Sequence, residues 1–187
     1  MVIGRHEPKQ AKHADLKQAV RIGLDEAFAS LIESFHDLTD ERFWAFPLPN
    51  RHNIVTLAEH CLQGLDLYAC EVQFGKLTFE PEGRFDIWHY SPEQLRPKMV
   101  NLPIAAKVVE RLEAVRRAAV AHLDAKPEED LFAKRPGTWW TDEFDKTCLD
   151  AYLRATWHVM THVRQIWLLR GLLGLTDADG WPQQHWA

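Results

Sequence analysis

Apolar residues recur at threes and fours in four stretches of the chain, and the period-two alternation that marks strands is absent. The first stretch is expected to be helical from Asp15 to His36, with Val20, Leu24, Phe28, Leu31 and Phe35 as its stripe. The second begins after Asn53, a favourable N-cap, and runs to about Phe74, where Gly75 is placed to stop it. The third starts near Asn101, tolerates Pro103 in its first turn, and carries Ile104, Val108, Leu112, Val115 and Ala119 before Pro127 ends it. The fourth extends from about Thr147 to Leu173, with Gly171 and Gly174 near its end.

Proline and glycine gather between these stretches. Phe43-Trp-Ala-Phe-Pro-Leu-Pro49 reads as an aromatic, proline-bearing loop, and Pro136-Gly-Thr-Trp-Trp140 lies in the loop before the fourth helix. The connection from Lys76 to about Asn101 holds Pro81, Gly83, Pro92 and Pro97, too much interruption for a long helix, although Ser91-Pro-Glu-Gln suits one short turn. The expected fold is therefore all-α: a four-helix, up-and-down-type bundle in one domain over residues 1–187, with a long connection between helices 2 and 3. Residues 1–13 read as a polar leader and 175–187 as a C-terminal tail.

Two polar side chains interrupt the fourth stripe. At ~100° per residue, Ala151, Ala155, His158, His162, Ile166, Leu169 and Leu173 fall within an arc of about 80°. An imidazole among hydrocarbon costs stability unless it finds partners. Either each ring is hydrogen-bonded in the core, or the i, i+4 pair aims two nitrogens at one point, which is the geometry a metal ion needs. Metal sites in bundles draw ligands from facing helices. On the second helix His60 shares its face with Leu57, Gly64 and Leu67, and Gly64 leaves room beside the ring. If helices 2 and 4 are neighbours, His60, His158 and His162 form a neutral three-nitrogen set with open positions, the ligand pattern of catalytic rather than structural zinc.

Composition narrows the classes. With 187 residues the chain can bury a core without disulfides or a structural metal, so a metal here is expected to serve function. The formal net charge of −5, with scattered Lys and Arg, argues against nucleic acid as a partner. Cys61, Cys70 and Cys148 are odd in number and form no C-x-x-C pair, which points to a reducing, cytoplasmic location. The chain contains no apolar run long enough to span a membrane. Di-iron chemistry is disfavoured, because Glu-x-x-His pairs are not placed on the inner faces.

Leu57-Ala-Glu-His60 and His158-Val-Met-Thr-His162-Val-Arg-Gln165-Ile-Trp-Leu-Leu-Arg170-Gly-Leu-Leu-Gly174 resemble the DinB/YfiT-like superfamily of metal-dependent enzymes, in helix order and length over nearly the whole chain. In that family the second helix-four histidine is typically followed by Arg-Gly-Gln. Here Val163-Arg164-Gln165 keeps the Gln and not the pair before it, a departure that touches the subfamily rather than the ligands. The resemblance implies a divalent metal, often zinc or nickel, on His60, His158 and His162 in a bundle that frequently forms a homodimer.

Such a centre supports two chemistries on small-molecule substrates: hydrolysis by metal hydroxide, or group transfer with a low-molecular-weight thiol, which the resemblance to thiol-dependent S-transferases suggests. Glu59 projects about 100° from His60 and reads as solvated or as a structural partner, not a base. Trp44, Phe46, Trp139 and Trp140, from two loops expected at one end of the bundle, would line an apolar pocket, with Trp88 as a lid. The rings would otherwise close the bundle end as core. The competing class is a non-catalytic dimeric bundle, an interaction or stress-related protein with a vestigial metal site.

Overall fold

The computed structural model describes residues 16–71, 73, 78, 91–95, 104–134 and 147–175. Four long helical segments carry the fold: α1 (Leu16–Glu33), α3 (Ile54–Asp66), α5 (Ala105–Ala125) and α6 (Cys148–Leu172). Between them lie two short helices, α2 (Asp40–Trp44) and α4 (Pro92–Leu95). A π-helical turn, Leu67–Glu71, prolongs α3, and a 3₁₀ turn, Glu128–Phe132, follows α5. Among the described residues the β-structure is a single isolated bridge, Lys134 to Thr147.

Local chemistry accounts for the boundaries. The side chain of Asn53 accepts from the Thr56 backbone N–H at 3.2 Å and starts α3. Thr147 and Asp150 form a capping box: Thr147 Oγ1 accepts from the Asp150 N–H, and Asp150 Oδ2 accepts from the Thr147 N–H at 2.8 Å. Helix α1 stops three residues earlier than its apolar pattern suggests. Its last turn unwinds through 34–37 to Asp37, which adopts φ 59°, the left-handed conformation that short polar side chains tolerate. The stretch expected as a loop from Phe43 begins inside α2, because Thr39 caps that helix and Asp40 and Glu41 favour its first turn. The described part of α5 begins after an extended Ile104 that offers no side-chain cap. The expected helix stop at Phe74-Gly75 and the first turn at 101–103 lie outside the described residues.

Side-chain pairs fix the directions of the helices. Lys17 Nζ donates to the carbonyls of Asp124 and Lys126 while Arg116 pairs with Asp25, so α1 and α5 are antiparallel. Thr156 lies beside Gly23 and Arg170 donates to the carbonyls of Ser34 and His36, so α1 and α6 are parallel. Gln73 Nε2 reaches the Cys148 carbonyl at 2.9 Å while the His60 ring meets those of His158 and His162, so α3 and α6 are antiparallel. It follows that α3 and α5 run the same way, and the long connection between them is a crossover that returns the chain to the opposite end. Each of α1 and α3 packs against both α5 and α6.

These directions put the end of α1 and the start of α3 at one end of the bundle, and the end of α5 and the start of α6 at the other. The expectation of one shared end fits neither pair of flanking helix ends, while Trp139 and Trp140 themselves lie outside the described residues. The core is continuous, from Leu24, Phe28 and Leu31 on α1 through Ile54, Leu62 and Leu65 on α3 to Leu112, Val115, Tyr152 and Ile166. Helix α3 is buried on nearly every side, which its sequence permits because Glu59 and Asp66 are its sole acidic residues and it has no Lys or Arg.

Candidate metal centre

The α3–α6 contact brings three histidine rings together. His60 comes from the second turn of α3, His158 and His162 from successive turns of α6. Their ring centroids lie 4.5 Å (His60–His158), 4.8 Å (His60–His162) and 4.7 Å (His158–His162) apart. One nitrogen from each can be chosen so that all three lie within 4.8 Å of one another. Among the described residues these are the metal-ligating side chains that converge, and no carboxylate or thiolate joins them.

The surroundings hold the rings in place. An added Cβ at Gly64 would stand 2.7 Å from His158 Cδ2 and 2.8 Å from Nε2, so the imidazole of His158 occupies the space this glycine leaves on α3. Tyr68, one turn further on in the π-helical segment, sets its ring edge-on to His158 with centroids 6.3 Å apart. His158 is thus flanked by His60 and Tyr68 and seated over Gly64. Its Nε2 is buried and meets no hydrogen-bond partner, a costly state for a ring nitrogen in the core and one that a metal ion would relieve. His162 Nδ1 lies 2.7 Å from Gln165 Oε1. An amide oxygen accepts only, so Nδ1 carries the proton and Nε2 is the nitrogen that bears the ring's lone pair.

Electrostatics favour the same species. Burial, then the charges of His158, His162 and His52, holds the His60 imidazole down at about 2. Burial, then His162 and Arg154, brings His158 to about 4. His162 is lowered by burial against the opposing effect of its Gln165 bond. All three rings are therefore neutral near pH 7, the form that binds metal. The donor set, the orphaned nitrogen and the space over Gly64 fit a divalent cation with three nitrogen ligands and open positions.

The chain matches the DinB superfamily model over residues 23–166, a span that includes all three histidines. The chain belongs to the DinB superfamily. The crystal structure of a conserved protein from Enterococcus faecalis shares the fold, with a TM-score of 0.66 at 20% identity, covering 84% of this chain and 97% of that one. No curated protein matches the sequence. Family and bundle agree with the expectation drawn from Leu57-Ala-Glu-His60 and His158-x-x-x-His162.

The other expected site residues fare differently. Trp44 and Phe46 are half-buried and pack against the core. Trp88, Trp139 and Trp140 lie outside the described residues. Glu59 is a structural partner and not a solvated one: it is 2% exposed, and Arg111 Nη1 donates to both its oxygens at 2.9 and 3.0 Å. Burial pushes its carboxyl above the ordinary range, with Arg111 opposing. Gln165 matches the family pattern in sequence, and its bond to His162 gives it a task. Tyr68 and Arg154 carried no signal in the apolar pattern. Tyr68 reaches His158 across the packing of two helices, and Arg154 stands one turn before His158 on α6.

Proposed function

We propose that this protein is a metal-dependent enzyme acting on small molecules, with zinc or nickel held by His60, His158 and His162, and that its reaction is group transfer involving a low-molecular-weight thiol. The reading is carried by one observation: three neutral imidazoles converge with no carboxylate among the described residues beside them, and one of them buries an unpartnered Nε2. A divalent ion in a neutral set keeps its full charge, and it would lower the pKa of bound water or stabilise a bound thiolate.

The residues around the site favour thiol chemistry. Arg154, one turn before His158, adds positive charge to a centre whose described ligands are all neutral, which suits an anionic group such as a thiolate or carboxylate. Hydrolysis requires a base near the metal, and Glu59 is engaged by Arg111. Hydrolysis remains the second reading because His52, half-buried, lies close enough for its charge to act on His60. Trp44 and Phe46, in the connection that leads into α3, would line the approach to the metal, with Trp88 as a further candidate. No helix among the described residues is long and apolar enough to cross a membrane. Cys61, Cys70 and Cys148 are buried and form no disulfide, as suits a reducing cytoplasm.

Elemental analysis of untagged protein tests this. About one zinc or nickel per chain is expected, lost in His60→Ala and His162→Ala with helical circular dichroism retained. Thiol binding to the metal-loaded protein then separates the two chemistries. A chain that takes up neither metal after incubation defeats the enzyme reading and leaves a non-catalytic bundle.

A further inference from the structure

Two lines of side chains face each other across the contact between α3 and α6. His60 lies against His162 and Gly64 against His158, so each step of four residues along α3 meets a step of four back along α6. Gln73, bonded to the Cys148 carbonyl, holds the same register at the far end of the contact. The layer that follows Gly64 and His158 therefore pairs Tyr68 with Arg154, one turn or ~6 Å along the helices. The π-helical turn Leu67–Glu71 supports this alignment. Its wider turn advances less per residue than an α-turn, which keeps Tyr68 on the line of His60 and Gly64. Single π-turns of this kind recur at functional sites.

The chemistry of this layer differs from that of the histidines. Tyr68, Arg154 and His158 are half-buried, whereas His60 and His162 are buried, so the layer lies on the side from which the centre can be reached. The guanidinium carbon of Arg154 stands 5.0 Å from the centre of the Trp157 ring, a stack that restrains the head of a long side chain. Burial, His162 and then Arg154 lower the His158 imidazole, so the guanidinium charge is felt at the centre. A guanidinium offers a planar fork that fits a carboxylate, and a phenol hydroxyl can donate one bond more. We propose that Tyr68 and Arg154 form a carboxylate-binding subsite one layer from the metal. The proposal rests on the metal-and-thiol reading above and names its substrate class: a short mercapto acid, with its sulfur on the metal and its carboxylate on Arg154 and Tyr68. Two carbons between sulfur and carboxyl group bridge about one helical turn. A neutral thiol of the same length reaches the metal but lacks the second anchor.

Thiol titration of the cobalt-loaded protein tests this, because cobalt(II) in place of zinc gives absorption bands that change when a thiolate binds. The wild type is expected to hold 3-mercaptopropionate at least about tenfold tighter than its methyl ester, the difference that one charge-assisted pair supplies. The ester has the more acidic thiol, so the metal–sulfur bond alone would favour the ester. Arg154→Gln should erase the preference by weakening the acid alone, with cobalt content retained. Tyr68→Phe should reduce the preference about fivefold, the loss of one hydrogen bond. A merely structural role for either residue would weaken acid and ester together. Equal affinity for acid and ester, or a preference undiminished by either variant, overturns the subsite and leaves the metal reading intact. A protein that takes up no cobalt, or whose bands respond to neither thiol, defeats the metal-and-thiol reading and the subsite together.

Discussion

Gly64 is the residue at which one methyl group should separate the metal centre from the stability of the fold. An alanine Cβ there would press to 2.7 Å from the His158 ring, and the ring must swing away. Alanine is also the better helix former, by ~1 kcal/mol. Gly64→Ala is therefore expected to lower metal affinity at least about tenfold, an effect of the size seen when ligand support is disturbed, while the metal-free protein melts no lower than wild type. Competition titration with a chromophoric chelator reads the first and calorimetry the second; unchanged affinity would mean that His158 does not bind through this seat. Gln165→Ala should weaken binding by about 10–100-fold, because the Nδ1 proton of His162 loses the acceptor that fixes its tautomer. Gln165→Glu should restore binding, since a carboxylate accepts the same bond. The three histidines were legible from sequence because polar rings stood in apolar stripes. Gly64 was legible as empty space but was assigned to the wrong ring, His60, since a helix reveals its own faces and not the side chain its neighbour inserts.

At the scale of elements, Arg170 joins the ends of two helices. It is 0% exposed on α6, and its Nη1 donates to the Ser34 and His36 carbonyls at 3.2 and 2.6 Å. Those carbonyls belong to the unwound end of α1, where partial negative charge collects and where a cation is favoured. Its guanidinium carbon stands 4.8 Å from the centre of the Trp167 ring. Arg170→Ala removes these bonds and leaves a cavity, for an expected loss of about 3 kcal/mol. Thermal unfolding measures it, and metal content should be retained because His162 lies two turns away. A change below about 1 kcal/mol would mean that water caps α1 equally well. Sequence did not disclose this contact, since an arginine near the end of a helix reads as solvated until a second helix end is known to lie against it. The capping box at Thr147 and the Asn53 cap were legible because both are local. The direction of α5 was not: a connection of some thirty residues permits either a return or a crossover, and pairs far apart in sequence, Lys17 with Asp124 and Arg170 with Ser34, decide between them.

For the whole molecule, the metal centre couples the stability of the bundle to pH. In chelator-stripped protein, His60 is held at about 2 and His158 at about 4, while the unfolded chain titrates both near 6.5. Between those values the unfolded chain binds protons that the folded one refuses, so stability falls as pH falls. Above pH 6.5 both states hold neutral rings and the contribution is complete. From pH 6.5 toward 4 it drains away, in a window above the usual carboxylate range, so acidic groups do not supply the trend. The melting temperature of the apo-protein should therefore be level from pH 7 to 8.5 and descend steadily below 6.5. A His60→Gln, His158→Gln double variant should flatten that descent, because neither replacement can be protonated. The metal-loaded protein should fall more steeply over the same range, since each proton that reaches an imidazole also displaces a ligand bond. An apo-protein whose melting temperature stays constant from pH 7 to 4.5 would show that the rings are solvated enough to accept protons within the fold. The buried, neutral donor set on which a metal centre depends would then be absent.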